Sequence, residues 1–151
     1  MDAAIELAEA GHMVIGTMHT RSCAETVDRV INFYDSSDQT PVKYMFSSVL
    51  KVVVTQRLVP GLRNNLVMIP EIMVVDDVIA GLIRKDKFSK SEIEDAIQSR
   101  FEKGNLSLVN SFANAINNGQ ISLGEAQRQL DDTKFDTLTR ILSGGKFGFS
   151  K

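Results

Sequence analysis

A chain of 151 residues, 43% hydrophobic and 24% charged, can bury one good core with a satellite subdomain and has the composition of an ordinary soluble globular protein. A net charge of −2 gives no basic face for nucleic acid, so no direct nucleic-acid binding is expected, and no apolar run reaches bilayer-spanning length. The single cysteine, Cys23, excludes an internal disulfide and a cysteine-rich zinc site. With Asp2, Glu6 and Glu9 in place of a basic leader, it points to a cytoplasmic setting.

In chain order, Asp2–Ala10 is rich in strong helix formers and has Gly11 as a plausible stop. It begins without an N-cap, like a helix entered partway through. His12–Met18 is short and apolar, bounded by Gly11 and by His19-Thr20, which predicts an interior strand. Ser22-x-x-Glu25 is a capping box that opens a helix over Cys23–Tyr34, with Ala24, Val27, Val30, Ile31 and Tyr34 on one face. Asp35–Thr40 is polar loop, and Thr40-Pro41 reads as N-cap and N1 of a helix to about Val54. The β-branched end of that helix would equally suit a strand; the helical spacing of Met45, Val49, Val52 and Val53 favours helix.

Thr55–Leu62 and Leu66–Val75 then read as two strands about the turn Arg63-Asn64-Asn65. Beyond them the pattern is helical. Asp76-Asp77 starts a helix through Lys85, and Ser89-x-x-Glu92 one to about Lys103, closed by Gly104. Leu108, Phe112, Ala115 and Ile116 mark the next, Ser122-x-x-Glu125 a short one, and Phe135, Leu138, Ile141 and Leu142 the last. The predicted class is therefore α/β followed by an all-α subdomain. The division falls near Val75–Asp77, with helices over 76–142 and a flexible tail over 143–151.

The chemistry concentrates in Gly11–Arg29. A strand ending on His19, a polar turn of Thr20, Arg21 and Ser22, and a helix N-terminus together resemble the carboxyl edge of an open α/β sheet, where ligands bind and where backbone N–H groups favour phosphates. His19 could hydrogen-bond a phosphate oxygen, or it could simply end a strand. Arg29 could be an ordinary solvated arginine paired with Glu25, and Arg21 an exposed turn residue. Gln56-Arg57 interrupts an apolar stretch and either faces a cleft or fills a buried hydrogen-bond need, and Glu71, a lone carboxylate within Leu66–Val75, is either outward-facing on alternation or paired. There is no G-x-x-x-x-G-K-[ST] in the 151 residues, Gly144-Gly145-Lys146 being a poor imitation in a tail, and no serine–histidine–aspartate order or metal-type histidine pair. No metal site is expected.

The stretch GTMHTRSCAETVDRVINFY resembles the histidine box of the type II/IV secretion and pilus ATPases, G-T-x-H-T-x-x-x-x-x-T-x-x-R. VVVTQRLV and PEIMV fall where that superfamily (GspE/PilT) carries its Q-R-L stretch and E-I-M strand, and DDVIAGLIRKDK and LSLVNSFANAINNGQISLGEA resemble its C-terminal helices. The connection Val59–Asn65 lacks the four-cysteine loop of assembly-type members, which favours the PilT-like branch. Departures are Arg21 and Cys23 within the box, Pro70 where the branch has histidine, and a partial match over Val78–Lys85, a segment that the resemblance ties to retraction.

The resemblance implies the C-terminal part of a RecA-like P-loop ATPase core with a helical subdomain after it, in a hexameric motor at the cytoplasmic face of the inner membrane. It implies His19 and Arg29 as catalytic residues near the terminal phosphate, with Thr20, Arg21 and Ser22 beside the nucleotide. ATP and Mg2+ would be used by the full-length parent and neither by this chain alone. Its partners would be five further copies and an inner-membrane pilus or secretion platform protein. The phosphate loop and acidic boxes are expected upstream of Met1, so the chain alone is expected to turn over no ATP. The alternatives are a stand-alone helical interaction module without catalytic activity and, more remotely, a small enzyme with His19 as general base.

Overall fold

The computed structural model describes residues 2–144. In it, α1 (Asp2–Glu9), α2 (Cys23–Ile31) and α3 (Gln39–Val49) precede a hairpin of β1 (Val52–Pro60) and β2 (Leu66–Val74). Five helices follow: α4 (Asp77–Arg84), α5 (Lys90–Ser99), α6 (Leu108–Asn117), α7 (Leu123–Gln129) and α8 (Asp132–Gly144). A single 3₁₀ turn, Phe101–Lys103, ends on Gly104 in the left-handed region, φ +89°.

Capping residues set most helix starts. Ser22, Ser89 and Ser122 each accept the N–H of the glutamate three residues on. Asp76 caps α4 by accepting from Val78 and Ile79. Helix α8 is held at its start by Asp131, whose carboxylate accepts the Lys134 N–H at 2.9 Å. It runs on through Ser143 and Gly144, where a tail was expected; the rest of that tail, 145–151, lies outside the described residues.

The hairpin alternates strictly. Val53, Thr55 and Val59 on β1 and Val67, Ile69, Glu71 and Met73 on β2 are buried, while Val52, Val54, Leu58, Leu66 and Met68 are exposed. The Gly61 N–H donates to the Asn65 carbonyl and the Val75 N–H to the Lys51 carbonyl. Odd-numbered residues therefore hold the hydrogen-bonded positions of an antiparallel ladder. Gly61 is obligatory in the turn, since an added Cβ would lie 2.5 Å from Asn65 Oδ1 and 2.8 Å from Val67 Cγ2.

Three expectations are corrected. The helix predicted to reach Val54 starts earlier, at Gln39, and stops at Val49; Leu50 is already extended. Val52–Val54 is strand because only a period of two buries Val53 while leaving its neighbours out. The helix α2 ends at Ile31, short of Tyr34. The strand predicted over His12–Met18 does not form: the stretch carries no regular structure, with Met13 89% and Ile15 82% exposed. Apolar residues alone do not make a strand without a ladder partner, and among the described residues β1 and β2 pair only with each other.

The chain separates into two compact units, each assembled from two stretches. The first joins Met1–Thr55 with Ile72–Asn105, and its core gathers Ile5, Cys23, Val27, Ile31, Met73, Ile79, Ile83, Ile93 and Ile97. The second joins Gln56–Glu71 with Leu106–Lys151, around Val59, Ile69, Leu108, Phe112, Ile121, Ala126 and Leu138. The separation does not follow the compositional break at 75–77, because the isoleucine stripes of α4 and α5 pack into the same core as α2.

Candidate functional site

Helix α2 begins at the Ser22 cap, with the reciprocal glutamate bond falling one residue earlier than in a regular capping box. Ser22 is extended (φ −147°, ψ 160°), its Oγ accepts the Glu25 N–H at 3.1 Å, and the Glu25 carboxylate reaches back to the Arg21 N–H at 2.8 Å. Thr26 donates its hydroxyl to the Ser22 carbonyl at 3.1 Å. The Thr20 hydroxyl, 2.7 Å from Thr26 Oγ1, must then be the donor in their contact, since a hydroxyl carries one proton. Cys23 is fully buried and donates its thiol to the Val53 carbonyl at 3.4 Å, which anchors the helix start on β1.

All five residues singled out from the sequence therefore meet at one turn, in different conditions. His19 is exposed, and its ring makes no hydrogen bond or ion pair to another described residue. Arg29 donates from Nη1 to the His19 main-chain carbonyl at 3.0 Å. That contact replaces the Arg29–Glu25 pair that helical spacing allowed. Thr20 and Ser22 have their hydroxyls engaged in the cap, and Arg21 is exposed. The turn thus presents the His19 imidazole and the positive end of a nine-residue helix. That chemistry suits a phosphate oxygen, and the residues present fit a nucleotide's terminal phosphate while supplying no cradle for the rest of it. Among the described residues no group of three or more histidines, cysteines, aspartates or glutamates could hold a metal, and no helix is long and apolar enough to cross a membrane.

Away from this turn, three polar anchors have no short-range signal in the sequence. Lys43 is buried on α3 and donates to the Lys85 and Asp86 carbonyls at 3.1 and 3.0 Å, satisfying the end of α4. Arg100 pairs with Asp76 through Nε at 2.8 Å and through its Nη2. Burial would raise the Asp76 carboxyl, but the Ile79 N–H, the Arg100 guanidinium and the Val78 N–H outweigh it and hold the group below the usual carboxylate range. Asn105 accepts the Val74 N–H and donates to the Arg100 carbonyl, closing the end of β2. Of the polar residues left open by the sequence, Arg57 donates to the Gln129 carbonyl at 3.1 Å, Gln56 is exposed, and Glu71 lies on the buried face.

Residues 1–67 match the family model of the type II/IV secretion system proteins. The chain is 33% identical over 126 residues to the type IV pilus retraction ATPase PilT of Pseudomonas aeruginosa, covering 83% of itself and 36% of that protein. It is 29% identical over 132 residues to a twitching motility protein of Neisseria gonorrhoeae, covering 87% and 35%. In fold it is similar to the crystal structure of the pilus retraction motor PilT with bound ADP, with a TM-score of 0.78 at 24% identity, over 90% of this chain and 38% of that one. The Legionella pneumophila ATPase DotB gives a TM-score of 0.70 at 22% identity, over 85% and 34%. The matched segments make the chain a member of the type II/IV secretion system protein family, and its fold is similar to the C-terminal region of the PilT structure. Within the family the chain is PilT-like. It spans little more than a third of the length of the curated relatives it matches, 36% and 35% of the two compared.

Proposed function

We propose that this chain supplies the C-terminal part of a hexameric ATP-driven motor for type IV pilus retraction or a related secretion or conjugation system, working peripherally at the cytoplasmic face of the inner membrane against a platform protein. The likeness to PilT over 83% of the chain carries the reading. When bound, ATP with Mg2+ supplies the phosphoryl transfer. His19 is the catalytic residue of this chain, presenting its imidazole to the terminal phosphate. Arg29 is a positioning residue, fixing the backbone that carries His19 through their 3.0 Å contact. Arg21 and the N-terminus of α2 add positive potential beside the same phosphate, with Thr20 and Ser22 shaping the turn.

The test is a graft that replaces the corresponding C-terminal part of P. aeruginosa PilT with this chain. The graft hydrolyses ATP, and His19→Ala lowers kcat by about a hundredfold, the usual cost of removing one preorganised charge-stabilising donor. Arg29→Ala has a smaller effect on kcat with KM little changed, and Arg29→Lys restores part of it. The isolated 151-residue chain, lacking the G-x-x-x-x-G-K-[ST] sequence, turns over no ATP. Hydrolysis by the isolated chain, or a His19→Ala graft at the parental rate, overturns the proposal.

A further inference from the structure

In the second unit, a cleft of about 330 Å³ opens between the β1–β2 turn and the residues that follow α6. It is lined by Arg63, Asn65, Asn118, Gly119 and Gln120. Both walls are fixed by their backbones. The Leu62 N–H donates to the Gln120 carbonyl at 2.9 Å, and the Gly61 N–H to the Asn65 carbonyl at 2.7 Å. The Gly119 and Gln120 N–H groups close on the Ile116 and Ala115 carbonyls, each at 2.9 Å. Left-handed conformations at Asn64 (φ +56°) and Gly119 (φ +63°) set the two bends, and Ile121, 2% exposed, roots the second wall in the core.

The side chains on these walls share one character. Arg63, Asn65, Asn118 and Gln120 make no side-chain hydrogen bond or ion pair to other described residues, and no aspartate or glutamate lines the cleft. One guanidinium fork and three carboxamides therefore converge on a preformed concavity, offering planar N–H donors together with amide carbonyls.

We propose that this cleft binds a carboxylate carried on a polypeptide partner. The guanidinium takes the two carboxylate oxygens side by side, and the carboxamides of Asn65, Asn118 and Gln120 pair with the N–H and C=O groups of the adjoining peptide main chain. Charge selects a carboxylate over a phosphate. Arg63 is the one formal charge on the lining, and the cleft abuts the C-terminal, negative end of α6, so a single negative charge is balanced and a dianion is not. This binding is separate from the proposed phosphate contact at His19 and stands or falls without it.

The test is an NMR titration of the isotope-labelled 151-residue chain with short capped peptides. One is a glycine–aspartate–glycine tripeptide acetylated and amidated at its ends, another an acetylated diglycine with a free carboxyl terminus. The same tripeptide with asparagine for aspartate, and inorganic phosphate, serve as comparisons. Saturable shifts of the Gly119 amide and of the Asn65, Asn118 and Gln120 carboxamides are expected with at least one carboxylate peptide. Which of the two binds tells a side-chain carboxylate from a chain terminus. Arg63→Gln weakens that binding by about tenfold or more, the loss of one charge-assisted pair, with the melting temperature unchanged because Arg63 is an exposed turn residue. Equal binding of the asparagine peptide, tighter binding of phosphate, an Arg63→Gln chain with undiminished affinity, or no saturable shift at these residues overturns the proposal.

Discussion

Met13-Val14-Ile15 and Val52-Val53-Val54 are both runs of three large apolar residues, and the chain treats them oppositely. The first is exposed along its whole length, with Ile15 at 82%, and carries no regular structure. The second lies in a strand, with Val53 9% exposed in the core of the first unit and its carbonyl receiving the Cys23 thiol. The difference is what each backbone meets. Val52–Val54 has β2 across the ladder and α2 beneath, so one residue in two is buried and every second backbone pair is hydrogen-bonded. Residues 13–15 have no such partner in the described structure. A strand is a relation between segments before it is a property of one of them.

Substitution by aspartate breaks this comparison most strongly. Val53→Asp buries an unpaired carboxylate and lowers unfolding stability by ~3 kcal/mol or more, whereas Ile15→Asp changes it by no more than about 0.5 kcal/mol. Urea denaturation of the two variants checks both values. Equal losses would mean that residues 13–15 are packed after all.

The anchored end of the hairpin can be probed next. Asp76 caps α4 just beyond β2 and pairs with Arg100, so Asp76→Ala costs about 1–2 kcal/mol through the lost cap and the unpaired guanidinium. Because its carboxyl is held below the ordinary value in the folded chain, its contribution is fully present above pH ~4 and fades as pH falls through the lowered folded value. Denaturation midpoints between pH 3 and 6 should therefore fall less steeply with acid in Asp76→Ala than in the parent.

The smallest effect is expected where a polar group is buried without a partner. The Tyr34 hydroxyl has no hydrogen-bond partner among the described residues, and burial, with the Asp2 carboxylate near by, pushes its pKa up to about 12. Asp2 repels the phenolate without meeting the geometry of a hydrogen bond. Tyr34→Phe should thus be neutral or stabilising by a few tenths of a kcal/mol at pH 7. The parent loses stability as pH rises from about 10 towards 12, since the unfolded tyrosine ionises first, and the phenylalanine variant loses less. Thermal melts at pH 9 and 11 separate the two.

Features written within a few residues were legible in the sequence. Ser22, Ser89 and Ser122 announce their helices because the cap and its acceptor are three residues apart, and Arg63-Asn64-Asn65 announces the turn because Asn tolerates the left-handed bend found at Asn64. Features that depend on a distant partner were not. The fate of residues 12–18 and 52–54, the packing of α4 and α5 with α2, and the Arg100–Asp76 pair across 24 residues all turn on tertiary contacts. At the candidate site His19 stood out through its place at the end of an apolar run just before the cap, and Arg29 only through the resemblance to the histidine box. Their connection did not: an arginine side chain bound to a main-chain carbonyl ten positions back has no periodic signature.

Pro70 carries a consequence for how the hairpin can grow. With odd-numbered residues facing the ladder, the ring nitrogen of this even-numbered residue points away from β1, so β2 continues unbroken to Val74. On that outer margin, however, a donor is missing and a ring stands in its place, which bars a further strand from zipping along β2. Pro60, the even-numbered last residue of β1, leaves the same gap at one end of the opposite margin, so each edge of the hairpin carries a ring where a docking strand would need an N–H.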